Sequence, residues 1–600
     1  MTTPIRVADF IAQTLAAQGI RHVFMITGGG AMHLNDAIGR CKQLEYIPCH
    51  HEQACAIAAE SYCRLTGEMA AVCVTTGPGG TNAITGVYGA WTDSIAMIVI
   101  SGQVKWETLV RSTGLPLRQI GDQEVDIVRL VETITKYAVI VQEPSSIRMH
   151  LEKAIYLAKA GRPGPVWLDI PMNVQSALID PDTLLPWIPE PDPGSPDPAA
   201  IDDCCEQIAA RLRSAKRPVV LAGSGIRIAG AYEEFLRLVE TWRVPVTTAF
   251  NAHDLLPHNH PLLVGRPGTI GDRAGNFAVQ SADLLLVLGC RLNVRQTGYD
   301  FASFARAAFK IQVDIDAIEM QKPTVRIDLR VHADVRPLMQ RLADLAPAEA
   351  NSDHAGYLAW CRERRDRYPV VLPSYWDRSE PVNPYCFVDA LFEALPPGQV
   401  VVTGDGTSCV ATFQASRMKL GQRLFTNSGS APMGFDLPAA VGASIATGRG
   451  QVVCIAGDGS IQMNLQELQT IATQRLPIKV FVFNNDGYHS IRQTQQAYFP
   501  DNPVGYSPAT GVGVPNFEKL AAAYGISYFR IRRHEEMAGV IGACLGTEGA
   551  VMCEVMIDPE QAFAPKAASK RLEDGTMVSS PLEDMAPFLS AAEVAGNVVG

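Results

Sequence analysis

The chain reads as an α/β protein of three doubly wound parallel-sheet domains, and three observations carry this reading. Short β-branched apolar runs alternate with helix-length segments from end to end, the pattern of parallel strands joined by crossover helices. Six hundred residues exceed what a single core holds. A stretch with six prolines, PWIPEPDPGSPDPAA at 186–200, reads as an extended linker, and a composition shift, LAPAEANSDHAG at 345–356, marks a second boundary. The expected domains are 1–185, 190–350 and 365–570, with a tail over 571–600.

Bulk properties narrow the function classes. The net charge of −11 is spread without a basic stripe, which disfavours nucleic acid as a partner. Apolar runs such as SIAMIVISG and ADLLLVLGC fall far short of the roughly 20 residues of a membrane helix. MTTPIRVADF has no basic region followed by an apolar one, so no signal peptide is expected. Fourteen cysteines without a CxxC pair, Cys73, Cys290 and Cys454 among apolar neighbours, point to reduced core thiols and a cytoplasmic protein.

In the first third, QLEYIPC is a strand and the next helix begins near Glu52. A glutamate there is also what the helix dipole favours in any first turn. In the middle third, RPVVLAGSGIRIAGAYEEFL is a strand, a glycine turn and a helix that lacks a full GxGxxG, so a purely structural turn is an equal reading. The first and third units echo each other in glycine-rich turns after apolar strands, VCVTTGPGGTNAI and VVCIAGDGSIQM.

The third unit holds the sharpest signal. QVVCIAG and KVFVFNN read as parallel strands joined by a crossover helix over 464–473, so Asp458 and Asn485 emerge at one carboxyl edge. Their oxygens suit a hard cation such as Mg²⁺ bound together with phosphate. Gly457 and Gly459 let backbone approach a diphosphate, and Ser460 stands at a helix start. Taken singly, Asp-Gly and Asn-Asp-Gly are ordinary turn sequences.

GDGS followed by NNDGY resembles the thiamine diphosphate fingerprint. HEQACAIAAESYCRLTG with TTGPGGTNAITGVYGAWTDS looks like the pyrimidine-binding domain of acetohydroxyacid synthases, pyruvate oxidases and their relatives. The resemblance covers nearly the whole chain. It implies pyrimidine-binding, middle nucleotide-binding-like and diphosphate-binding domains, with active sites between two chains of a homodimer or homotetramer. It implies Mg²⁺ on Asp458, Asn485 and the Gly487 carbonyl. Glu52 would drive the aminopyrimidine to the imino tautomer that removes the thiazolium C2 proton, a task for a carboxyl tuned by an apolar pocket. Pro78 and Asn82 would line the ring and the catalytic pocket. In NSGSAPMGFDLPAAVGA, Met433 matches the wedge that bends the cofactor and the Ala431 carbonyl the acceptor for its amino group. Gly404, Asp405 and Gly406 match a further diphosphate-contacting turn. LLLVLGCRLNVRQTG and FKIQVDID resemble a flavin-binding middle domain, with Gly223, Gly225, Arg291, Arg295 and Asp314 around FAD that takes no part in redox turnover.

The reaction so implied decarboxylates pyruvate, a 2-keto acid, and joins the two-carbon unit to a ketone or aldehyde. Two departures from the synthases concern the acceptor pocket. Thr494 stands at their tryptophan, which enlarges the cavity, and Asp122 stands at their phenylalanine before the matching Gln123. They point towards a bulkier acceptor, as in the flavoenzymes of branched-chain sugar biosynthesis, whose tail KRLEDGTMVSSPLEDMAPFL resembles. That tail is expected to cover the active-site entrance, with plain surface packing as the alternative. His51 and His489 are candidate proton carriers, since imidazole titrates near neutrality, or simply structural histidines. A lyase or hydrolase cleaving a diketone or acyl donor, and a non-catalytic cofactor-binding subunit, are the competing functions.

Overall fold

The computed structural model describes all residues except 1–2, 191–195, 350, 572–573, 575 and 600; the centre of the expected linker and part of the expected tail lie outside the described residues. Three six-stranded sheets, each parallel throughout, form the molecule. The first runs edge to edge as Glu45–Pro48, His22–Met25, Ala71–Val74, Ile98–Gln103, Val166–Pro171 and Tyr137–Ile140. The third runs Arg423–Phe425, Val400–Thr403, Val452–Gly457, Ile478–Asn484, Val551–Met556 and Ser527–Ile531. Counted within each unit, both follow the strand order 2-1-3-4-6-5, so the faint sequence echo reflects one shared topology. The middle sheet is different. Its strands Leu263–Gly265, Val246–Thr248, Pro218–Ala222, Leu284–Leu288, Phe309–Asp314 and Leu329–His332 follow 3-2-1-4-5-6, the dinucleotide-fold order. Central strands such as Leu284–Leu288 are buried along their whole length, because helices cover both faces of a parallel sheet.

The expected crossover over 464–473 is a 3₁₀ turn, Ile461–Asn464, followed by a short helix, Glu467–Thr473. Helix Ser352–Arg367 lies past the expected middle boundary at 350, yet Tyr357 and Cys361 belong to a core of the middle sheet. The described tail packs on the middle unit as well. Leu582 enters its core, Glu583 accepts from Gln280 and Arg306, and Arg273 donates to the Met585 and Pro587 carbonyls. Within one chain, therefore, residues 582–587 are held against the middle unit.

The first and third units share one core. Helix Glu52–Thr66 lies antiparallel against helix Asp436–Ala446: Ser61 Oγ donates to the Ala439 carbonyl at 2.6 Å, and Gly442 has no room for a Cβ against the Ala58 backbone. Alanines at 54, 58, 439 and 443 permit this close approach. No helix among the described residues is long and apolar enough to cross a membrane. All fourteen cysteines are free thiols.

Candidate active site

In the third sheet, Val400–Thr403 and Val452–Gly457 are neighbours at the point where strand order reverses, and ligands collect at such switch points. Gly404-Asp405-Gly406 follows the first of these strands and Asp458-Gly459-Ser460 the second. Asn485-Asp486-Gly487 follows the adjoining strand Ile478–Asn484. The sheet thus brings the third-unit candidates to one edge.

Asp458 is 2% exposed and tightly held: Oδ1 accepts from Gly459 N at 2.8 Å, and Oδ2 from Asn485 N at 3.1 Å and Gly487 N at 3.0 Å. Burial pushes this carboxyl up to about 6, while the three N–H groups pull the other way. Asn485 is also buried. Its Nδ2 donates to Thr407 Oγ1 at 3.3 Å, but its Oδ1 has no partner. An orphaned buried carbonyl costs about 1–3 kcal/mol, and beside a carboxylate it is the donor a hard cation requires. Gly487 holds φ at 119° with no space for a Cβ against the Tyr506 carbonyl, so only glycine closes this turn.

Around this oxygen pair, Gly406 has φ 81° and open space beside it at the start of helix Thr407–Ala415, a cradle for an anion. Asp405 is half-buried and raised by desolvation. Gly404 has no room for a Cβ because Asp436 lies beneath it. Asp436 is fully buried, accepts from Ser460 Oγ at 2.6 Å, and is pushed up by burial to about 6. Ser460 Oγ in turn accepts from Gly434 N at 2.9 Å, so Asp436 ties the Gly459-Ser460 turn to the Met433 loop. Ala431 sits at φ 51°, a strained conformation for an L residue, and Met433 is half-buried near Gly459.

At the first sheet, Glu52 opens its helix and its Oε2 accepts from Asn82 Nδ2 at 3.0 Å. Pro78 starts helix Pro78–Thr92, and Gln123 (φ 62°) puts its carbonyl where a Cβ on Gly77 would fall. Glu52 is half-buried; Asn82, Asp122 and Gln123 are exposed. This half of the site is open to solvent within one chain. His51 Nδ1 accepts from Gln53 N at 3.1 Å and serves as the helix cap.

His489 lies inside the third unit. It is 3% exposed, bonded to Thr407 Oγ1 at 2.9 Å and Gln493 Nε2 at 3.0 Å, and edge-on to Phe563. Burial, with Arg492 adding, lowers it to about 4, which favours the neutral imidazole. Thr494 is exposed on helix His489–Tyr498.

In the middle unit, Gly225, Arg291 and Asp314 line a cavity of about 360 Å³ between first and middle units. Gly223 lies under its floor, packed on Gly289 and Cys290 without space for a Cβ. Asp314 is buried, raised by desolvation, and accepts from Asp316 N at 3.0 Å. Arg295 does not join these residues: its guanidinium lies over the Phe250 ring, near Asp405. Thr407 and Asp436 went unread in the sequence. The available signal was an acid in an otherwise apolar stretch, GFDLPAAVGA.

Comparison with known proteins decides the family. Models described as thiamine pyrophosphate enzyme N-terminal TPP binding, central and C-terminal TPP binding domains match residues 5–129, 205–342 and 404–555. The acetolactate synthase isozyme 1 large subunit of Escherichia coli is 31% identical over 561 residues, covering 93% of this chain and 95% of that protein. The chain belongs to the thiamine pyrophosphate enzymes of the acetolactate synthase group. The probable acetolactate synthase large subunit of Methanocaldococcus jannaschii is 32% identical over 93% of this chain and 92% of its own length. The Lactococcus lactis large subunit is 30% identical, covering 94% of each chain. In this thiamine pyrophosphate enzyme the two family-named TPP binding domains are those with the shared sheet topology.

Proposed function

We propose that the protein is a thiamine diphosphate-dependent carboligase that decarboxylates pyruvate and joins the two-carbon unit to a ketone or aldehyde. The observation that carries this is the ionisable Asp458 beside the unpartnered Asn485 carbonyl, at the switch point of a sheet in this family. Asp458, Asn485 and the Gly487 carbonyl would hold Mg²⁺. Gly404, Asp405, Gly406, Gly457, Gly459 and Ser460 would surround the diphosphate, and Ala431 and Met433 would support the rings. When bound, thiamine diphosphate supplies the nucleophilic carbon and the electron sink for decarboxylation.

Glu52, hydrogen-bonded to Asn82, would hold a proton at the pyrimidine edge, with Pro78 and Gln123 shaping that pocket. One chain alone does not assemble this arrangement. Ser61 faces Ala439 across antiparallel helices, so Glu52 and Asp436 lie about 18 Å apart along the helix axis, in opposite directions from that contact. An acid on a ring and the wedge beneath it must lie within a few ångströms of each other. A second copy therefore supplies the Glu52 that serves Met433 and Asp458 of the first, and the working unit is a homodimer or a dimer of dimers. The three expected domains, 1–185, 190–350 and 365–570, then serve as pyrimidine, middle and diphosphate domains, the middle one extended by helix Ser352–Arg367.

The cavity lined by Gly225, Arg291 and Asp314 suits the anionic part of FAD: the Arg291 side chain forms no ion pair among the described residues, and its charge is available. The exposed Thr494 leaves room for an acceptor bulkier than a second pyruvate. Free thiols throughout fit a cytoplasmic setting. The test is an NMR time course of purified protein with pyruvate, thiamine diphosphate, Mg²⁺ and FAD. Acetolactate or acetoin signals are expected, followed by acceptor screening with ketones and sugars; pyruvate that stays intact would overturn the donor assignment.

A further inference from the structure

Helices Glu52–Thr66 and Pro78–Thr92 present Glu52 and Pro78 at their N-terminal ends. Their other ends converge on a buried polar node where all three units meet. Arg64 pairs there with Glu60 and with Asp93 Oδ2 at 2.8 Å. The Asp93 carboxylate, 6% exposed, takes three more donors: Asn251 Nδ2 of the middle unit at 3.3 Å, Ser428 N at 3.1 Å and Gly429 N at 3.0 Å. Asn251, itself at φ 65°, brackets Thr426 by accepting from its N–H at 3.1 Å and donating to its carbonyl at 2.7 Å. Asn427 Oδ1 accepts from Ser430 N at 3.0 Å. Three successive N–H groups, 428 to 430, are thus fixed immediately before strained Ala431 and Met433.

We infer that Asp93 is a positioning residue: through the Ser428 and Gly429 N–H groups it sets the height of the Ala431–Met433 loop beneath the cofactor rings. The inference rests on the cofactor reading above. Asp93 and Ser428 border the cavity proposed above for FAD, but Asp93 is not among the residues proposed to hold thiamine diphosphate. The chemistry requires an ionised carboxylate, because all four neighbours are donors and a carboxylate offers about four acceptor sites. An amide would turn its own N–H₂ against one of them. Gly429 adds a second constraint, since a Cβ there would stand 2.6 Å from Thr92 Cβ and 2.7 Å from Asp93 Oδ1. The loop is therefore seated directly on the end of the Pro78–Thr92 helix.

The test uses Asp93→Asn and Gly429→Ala in the full-length protein with thiamine diphosphate and Mg²⁺. Gly429→Ala presses on Thr92 and Asp93 and lifts the loop without removing the Asp93 carboxylate, and so stands in if Asp93→Asn does not fold. The readouts are the exchange rate of the bound cofactor's C2 proton in D₂O, cofactor affinity by fluorescence quenching, and the midpoint of thermal unfolding. Both variants are expected to keep cofactor affinity, because the Asp458 anchor is untouched. C2 exchange and kcat should fall together by about 10–100-fold, the cost of a displacement near 1 Å. Exchange at the wild-type rate in both variants would overturn the inference, as would parallel loss of affinity and activity or loss of the fold in both, since the node would then serve the fold alone. A wild-type protein that binds no thiamine diphosphate would overturn the cofactor reading first, and is told apart because it fails before any variant is compared.

Discussion

The diphosphate end and the pyrimidine end of the candidate site are built on the same sheet topology, yet they are finished to different degrees. At the third sheet, Asp458 and Asn485 are 2% and 4% exposed, their backbone partners are in place, and a single unpartnered oxygen remains for a cation. At the first sheet, Glu52 has one hydrogen bond, to Asn82, and Asn82 and Gln123 face solvent. One half is preorganised within a chain; the other is open to solvent within that chain. The helix pair that joins the two units also separates the two half-sites by about 18 Å. On the reading proposed above, a site that needs both halves is split between copies.

The largest effect is expected at the preorganised end. Asp458→Ala removes the only carboxylate of the proposed cation set and should weaken thiamine diphosphate and Mg²⁺ binding together, by at least about 100-fold, since loss of mere outer-shell support already costs up to that much. Calorimetric titration checks this, and retention of both ligands would remove the contrast between the ends. Glu52→Gln should act in the opposite sense, keeping the cofactor while lowering kcat by about 10²–10⁴-fold, the usual share of acid–base catalysis. Steady-state kinetics on the cofactor-saturated protein would show this, and full activity would dismiss Glu52 from its role.

A smaller effect follows from pH. Burial raises Asp458 to about 6, so the folded apo-protein holds a proton there between about pH 4 and 6 that the unfolded chain has released. That contribution to stability is present at low pH and lost as pH rises through about 6. Cation binding has the reverse dependence, because the ionised form is the ligand. Mg²⁺ affinity should therefore drop as pH falls below about 6, and titrations on either side of that value would reveal it. A flat profile would mean the carboxylate is already ionised without the cation.

Legibility in the sequence follows the same divide. The third-unit loops could be read because each candidate directly follows an apolar strand, and parallel strands deliver their ends to one edge. Glu52 could be placed on its helix from the strand before it, but its exposure could not, since that depends on what lies across from it. Asp93 and the Gly429 N–H are 336 residues apart in sequence, and nothing local signals such a contact. Arg295 and His489 had suitable chemistry, but their side-chain direction and burial depend on distant packing and were not legible in the sequence. Helix Ser352–Arg367 was missed as part of the middle unit because SDHAGYLAWCRERRDR is rich in charge and buries only a narrow stripe on that sheet.

Complementation between two inactive variants tests the split site most directly. Glu52→Gln and Asp458→Ala proteins would be purified separately, mixed under conditions that exchange subunits, and assayed with pyruvate. If each site takes Glu52 from one copy and Asp458 from the other, a hybrid dimer carries one doubly damaged site and one intact site. Activity should then recover to about one quarter of wild type at statistical exchange. Mixtures that demonstrably exchange subunits yet stay as inactive as their parents would place both residues of each site in a single chain and contradict the intersubunit site.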